Sequence, residues 1–286
     1  MNTVILALPN KGRLHEPALD LLEKAGIRVI DRGMLYGRTN DPEINVIFAR
    51  AADIPSLVEA GAADLGVTGH DYVVEADADV EELLDLEFGR AELVLAVMRN
   101  SGIEDLSDLK PGLRVATKYV NIASNFFRRL GLEAEVIRIT GAAEVMPHLK
   151  VADAIIDISS TGTTLKTHGL RPLKVILESS ARLIANKKSL EVKRDKLMEI
   201  KLAIESVLRG KGKKLLMMNV PDRFLKEVLS VLPAMAGPTI AEVKSEERMW
   251  EVYTVIDEDE VYRVVNLVKK AGAKDLLVIP IERVIP

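Results

Sequence analysis

Residues 154–165 read AIIDISSTGTTL, and this stretch constrains the fold more than any other in the chain. Ala154, Ile155 and Ile156 form a short apolar run of the kind that makes a buried strand. Asp157 stands where that strand should end. Ser159, Ser160, Thr161, Gly162, Thr163 and Thr164 follow, all small and, apart from the glycine, hydroxylated. A loop of this composition can turn N–H groups and hydroxyls toward one point, because glycine permits tight and left-handed turns. A helix starting there would add its free N–H groups and positive dipole end. The guest that suits such a loop is an anion the size of phosphate. A plain strand-to-helix turn capped by Ser and Thr has the same composition. Residue types alone leave both readings open.

The same order of strand, turn and helix recurs before it. Residues 4–8 (VILAL) read as a buried strand, Lys11, Gly12 and Arg13 as a turn, and residues 14–25 as a helix closed by Gly26. Residues 44–49 are a strand ending at Arg50. Asp53 is placed to cap the next helix, with Pro55 in its first turn. Residues 63–71 form a further strand and loop in which Gly66 and Gly69 allow close approach. Ligands of such units gather at the carboxyl ends of the strands, which makes Lys11, Arg13, Arg50 and Asp71 candidates. Cations beside a helix start suit a phosphate-rich substrate. His70 has no second histidine at metal-ligand spacing and reads as a polar loop residue.

Residues 77–87 are acidic and read as a solvated face. Residues 91–98 (AELVLAVM) are long and apolar enough to cross between two lobes, and residues 113–117 are a strand. Tyr119 reads either as a cleft wall or as packing. Residues 134–139 are a strand, 142–150 a helix, 173–179 a strand and 195–208 an amphipathic helix. The basic, glycine-broken run 209–214 reads as a linker. Beyond it the pattern is βαββαβ, the ferredoxin-like order, with no phosphate loop or acid–base pair. Binding or assembly is the role expected there.

Composition removes several classes. With 286 residues, 48% of them hydrophobic, the chain is expected to fold as two or three units. No apolar run approaches the ~20 residues of a membrane span. There is no cysteine, so disulfides and thiolate metal sites are excluded. A net charge of −4 argues against a general nucleic-acid binder. The start Met1-Asn2-Thr3 runs directly into the first strand without the pattern of a secretory signal, which points to the cytoplasm.

Residues 144–165 resemble the signature of ATP phosphoribosyltransferase, which runs from a Glu through an apolar strand to D-[LIV]-x-x-[ST]-G-x-T-[LM]. Asp157-Ile158, Thr161-Gly162 and Thr164-Leu165 fill its places. Lys150 stands where the pattern has Gly. Ile158 takes the place of the second acid of many other phosphoribosyltransferases. The KGRL at 11–14, the DIP at 53–55, the DLGVTG at 64–69, Phe88-Gly89-Arg90 and the ATKYVN at 116–121 are also similar to that family. The C-terminal part is similar to its long form.

The resemblance implies an α/β fold with a two-lobed catalytic part like a type II periplasmic binding protein, followed by a C-terminal ferredoxin-like regulatory domain. The expected lobes are residues 1–90 with 173–208, and residues 91–172, and the expected regulatory domain is 213–286. The reaction implied is transfer of phosphoribose from phosphoribosyl pyrophosphate to N1 of ATP, the first step of histidine biosynthesis, inhibited by histidine. Ser159, Ser160, Thr161, Gly162, Thr163 and Thr164 would grip the 5-phosphate and Asp157 the ribose hydroxyls. Lys11 and Arg50 would face the pyrophosphate, with Arg13 and Asp71 lining the adjoining cleft. Asn219, Gly237 and Thr239 would hold histidine. Mg²⁺ is expected chiefly on the substrate phosphates, with no protein ligand assigned. The expected partners are these small molecules and copies of the chain, from dimer to hexamer, with no nucleic acid and no membrane. The competing expectation is a non-enzymatic cytoplasmic sensor of small anions on the same fold.

Overall fold

A computed structural model describes residues 3–32, 35–159, 163–233 and 237–285, without the side chains of Arg32 and Thr164. The chain divides into two compact units, Met1–Lys201 and Leu202–Pro286. Among the described residues no helix is long and apolar enough to cross a membrane.

The first unit holds two sheets. Its elements begin with β1 (Val4–Pro9), α1 (His15–Lys24), β2 (Val29–Arg32), β3 (Tyr36–Thr39), β4 (Ile44–Ala49), α2 (Ile54–Glu59), β5 (Leu65–Gly69), α3 (His70–Ala76) and β6 (Glu81–Asp85). Next come β7 (Ala91–Met98), β8 (Leu113–Thr117), α4 (Val120–Leu130), β9 (Ala134–Arg138), β10 (Ala154–Ser159), α5 (Thr163–Thr167) and β11 (Leu170–Ser179). β12 (Ala181–Ala185) and α6 (Lys187–Val192) follow, and α7 (Arg194–Gly210) begins in this unit and ends in the second. The first lobe is the sheet β2-β3-β4-β1-β5-β12-β6 and the second is β11-β7-β10-β8-β9.

In each lobe the strand order reverses around one strand. β4 and β5 flank β1, and β9 and β10 flank β8. Such switch points open a crevice at the strands' carboxyl ends. β7 is buried on both faces, which is why its sequence is a continuous apolar run and not an alternation. Leu93, Leu95 and Val97 meet Ile122, Ala123 and Phe127 of α4 on one side. Val94 and Ala96 meet Leu165 and Leu170 on the other. Each such Leu, Ile or Phe contributes about 1.5–3 kcal/mol when fully buried.

Four expectations need correction. The strand at 173–179 does not belong to the first lobe: β11 pairs antiparallel with β7 from Leu170↔Met98 to Ser179↔Ala91, so the return crossing lies at Ser180. Asp53 occupies the N-cap of α2 without a side-chain capping bond. Residues 142–150 hold only a short turn of 3₁₀ helix, Ala143–Val145. Most of the expected linker is regular structure, because its cations have partners. Arg209 ends α7 bonded to Glu205, and Lys213 and Lys214 pair with Asp257 and Glu258. Gly210 also has a packing reason, since a Cβ there would come within 3.0 Å of the Arg283 backbone.

The second unit contains β13 (Lys213–Pro221), α8 (Leu225–Val231), β14 (Thr239–Val243), β15 (Met249–Asp257), α9 (Val261–Lys270) and β16 (Lys274–Pro280). Its sheet order, β14-β15-β13-β16, is that of the ferredoxin-like βαββαβ fold. Leu216, Met218, Val220, Val252 and Ile256 face Val228, Val264 and Val268 of the two helices.

Candidate active site

Two loops leave the switch point of the first lobe, while β5 runs directly into α3. β1 and β4 end side by side, with Pro9 opposite Ala49, and the Asn10 N–H donates to the Ala49 carbonyl at 2.8 Å. That bond places the Lys11 and Arg50 loops together, and Lys11, Arg13 and Arg50 are all exposed. The His15 ring supports the first loop through Nδ1, 2.6 Å from the Pro9 carbonyl oxygen.

The facing switch point in the second lobe brings Asp157 and Lys118 together. β8 and β10 run parallel with Thr117 opposite Ile156, so Lys118 and Asp157 are the next residues of neighbouring strands. The Thr117 hydroxyl donates to the Ile156 carbonyl at 2.6 Å and accepts the Tyr119 N–H at 2.9 Å. Burial pushes the Asp157 carboxyl above the usual carboxylate range, against the Ile158 N–H at 2.8 Å and the Lys118 charge, while Glu144 adds to the rise. The Lys118 ammonium lies 4.9 Å from the Tyr119 ring centre and 5.8 Å from that of Tyr72. Its place at a strand end is the same signal that marks Lys11 and Arg50 in the sequence.

Ser159 ends β10 and Thr163 begins α5. Ser160, Thr161 and Gly162 lie outside the described residues, as does the side chain of Thr164. A cavity of about 400 Å³ opens beside Ser159, lined by Arg90, Glu92, Glu178, Arg182 and Asp85 among others. Glu92 and Glu178 are opposed across β7 and β11. Arg182 pairs with Asp85 at 3.0 Å and with Glu82 at 3.3 Å, and Glu82 accepts from or pairs with His70 Nδ1 at 2.9 Å. Burial alone would raise the Asp85 carboxyl. The Glu87 N–H, the Ser180 hydroxyl and Arg182 instead hold it below the usual range. None of these cavity residues except Ser159 was singled out from sequence as a site residue.

Asp71 does not line an open cleft. It is fully buried, accepting the Ser179 hydroxyl at 2.6 Å on Oδ1 and the Tyr119 hydroxyl at 2.7 Å on Oδ2. Both oxygens are therefore spent on holding the second lobe to the first. Gly69 makes the arrangement possible, because a Cβ there would collide with the Asp71 carboxylate. Burial and the neighbouring Asp71 charge hold the Tyr119 phenol far above its ordinary range, so it stays a donor.

In the C-terminal unit, Asn219 and Thr239 lie on the sheet face opposite the core, two strands apart across β15. Asn219 Nδ2 donates to Asp275 at 3.1 Å. Gly237 has φ +100°, a backbone conformation that favours glycine. Residues 234–236 of the expected effector loop lie outside the described residues.

A family model described as ATP phosphoribosyltransferase matches residues 50–206, and one described as HisG, C-terminal domain, matches residues 210–283. The ATP phosphoribosyltransferase of Ignicoccus hospitalis is 54% identical over 281 residues, covering 98% of this chain and 99% of that protein. That of Methanopyrus kandleri is 50% identical over 285 residues, covering 99% of this chain and 100% of the relative. Among solved structures, the ATP phosphoribosyl transferase (HisG:HisZ) complex from Thermotoga maritima matches with a TM-score of 0.65 and 26% identity. It covers 71% of this chain and 96% of that one.

Proposed function

Because the chain belongs to the ATP phosphoribosyltransferase family, in the long form with the added C-terminal domain, we propose that the two facing switch points are its active site. The chain is a transferase of histidine biosynthesis, which sets aside the non-enzymatic sensor. The transition state gains positive charge at the ribose C1 and negative charge on the departing pyrophosphate. Catalysis of such a step rests on positioning and on cations aimed at the leaving oxygens, with no protein nucleophile.

In this reading the 159–164 loop binds the 5-phosphate and Asp157 the ribose hydroxyls. Lys11 and Arg50 face the pyrophosphate, Arg13 lines the rim, and Lys118 adds a cation beside Asp157. The observation that carries the reading is the pairing of β1 with β4, which sets Lys11 and Arg50 in adjacent loops at one strand end. Glu92 and Glu178, opposed across β7 and β11, would face the water shell of a Mg²⁺ ion held mainly by substrate phosphates. When bound, it shields the charge of the leaving group. A cytoplasmic location and a homo-oligomer belong to the same proposal.

Lys11 and Arg50 are exposed, so replacing either by Ala costs little stability, within about 0.5 kcal/mol. A contact to developing charge is worth roughly 1.5–3 kcal/mol, so kcat should fall about 10- to 100-fold while KM changes little. Steady-state pyrophosphate release checks this. Unchanged kcat in both variants would remove the two residues from the site.

The second part of the proposal is that histidine binds the C-terminal unit near Asn219, Gly237 and Thr239 and inhibits from there. Inhibition requires histidine to favour one global state over another. Asn219→Ala and Thr239→Val should retain the uninhibited rate and lose most of the response to histidine. Full inhibition in both would place the effector elsewhere.

A further inference from the structure

The first turn of α4 is capped by a residue of the other lobe. Glu75, near the end of α3, accepts the Asn121 N–H on Oε1 at 3.1 Å and the Ile122 N–H on Oε2 at 3.0 Å. Its backbone carbonyl accepts Asn121 Nδ2 at 2.8 Å. These N–H groups are among those that a helix leaves without an internal partner, and a carboxylate there is favoured by the helix dipole. α4 has no cap of its own, since its N-cap residue Tyr119 makes no side-chain capping bond. The cap therefore comes from a helix of the first lobe, 46 positions earlier in the chain.

Asp71 and Glu75 are four residues apart and so share one face of α3. Both reach α4 or its N-cap, Asp71 through the Tyr119 hydroxyl and Glu75 through the free N–H groups. Between them Tyr72 stacks on Tyr119 with ring centres 6.1 Å apart. α3 follows β5 at the switch point of the first lobe, and α4 follows β8 at that of the second. This contact is a third tie beside the two crossings of the chain. Asp71 is its buried anchor. Glu75 is half-buried at its solvent edge, where the capping bonds can open.

We propose that Glu75 is a positioning residue for the transfer reaction: by capping α4 from the first lobe, it holds the lobe bearing the 159–164 loop at its working distance from Lys11 and Arg50. The inference rests on the active-site reading above. A misplacement of about 1 Å between reacting groups can cost on the order of 100-fold in rate. Lys11 and Arg50 act on the charge that develops on the departing pyrophosphate, so losing the tie affects the transition state more than ground-state binding.

Glu75→Ala should therefore lower kcat about 10- to 100-fold and change the Kd for phosphoribosyl pyrophosphate less than about threefold. Glu75→Gln keeps one acceptor and should recover part of the rate. A cap that serves only helix stability would lower Tm in both variants and leave kcat alone, overturning the proposal. The chain has no cysteine, so spin labels can be placed at Asp20→Cys on the first lobe and Glu133→Cys on the second without background. Pulsed dipolar spectroscopy of the full chain should give a narrow distance distribution that broadens or shifts with Glu75→Ala. An unchanged distribution overturns the proposal. This readout needs no substrate: a chain that failed to transfer phosphoribose would count against the active-site reading, while the distances would still decide the tie.

Discussion

Replacing Asp157 by Asn should lower kcat/KM for phosphoribosyl pyrophosphate by about 10- to 100-fold and, at neutral pH, make the protein more stable. The first effect follows from losing a charged acceptor for ribose hydroxyls, worth roughly 1.5–3 kcal/mol. The second follows from burial. The Asp157 carboxyl is held above its ordinary range chiefly by desolvation, so the folded state binds its proton more tightly than the unfolded chain does. Stability from this group is then greatest at low pH and falls as pH rises from the unfolded value through the raised folded one. Once the pH is above the raised folded-state value, the native protein carries the cost of a buried carboxylate, and Asn does not. Thermal melts of both proteins should show the variant higher at pH 7, with the gap closing as the pH falls toward 4. A variant with native kinetics, or one that melts lower at pH 7, would contradict this account of Asp157.

Asp71→Ala should produce the largest loss of stability of the variants considered. The substitution leaves the Tyr119 and Ser179 hydroxyls without their acceptor in a fully buried place. Each stranded donor costs about 1–3 kcal/mol, so the two together give a loss of about 2–6 kcal/mol. For a unit of this size each kcal/mol lowers Tm by roughly 2–4 °C. Tyr119→Phe should lose less, because Ser179 and the Asp71 N–H remain joined. A melting temperature within about 2 °C of the native protein in Asp71→Ala would show that the buried bonds contribute little.

These two aspartates show what a sequence can and cannot convey about such a site. Both stand next to a strand end, and the local pattern treats them alike. Asp157 stays in the proposed site because its strand runs between β7 and β8 and ends at a switch point. Asp71 leaves it because Tyr119, 48 residues later, and Ser179, 108 residues later, close over its two oxygens. No window of sequence contains those partners. The same holds for β11, an edge strand with irregular register whose own residues do not say which sheet it joins. The short strands β2, β3 and β6 were not anticipated, since Glu81–Asp85 reads as a solvated acidic run until β12 pairs with it. The ferredoxin-like unit is readable because its strands alternate and its elements follow one another in the βαββαβ order. The central 154–165 stretch was readable for a related reason: strand, acid and small-residue loop are contiguous.

The central claim is that this chain joins phosphoribose to ATP in the cleft between its first two sheets. Pyrophosphate release by the full chain, with Mg²⁺ and with each substrate alone and both together, tests it most directly. The account predicts release only when ATP and phosphoribosyl pyrophosphate are both present, matched mole for mole by a phosphoribosyl adduct of ATP and reduced about 10- to 100-fold by Asp157→Asn. No release with both substrates, or equal release from phosphoribosyl pyrophosphate alone, would contradict it.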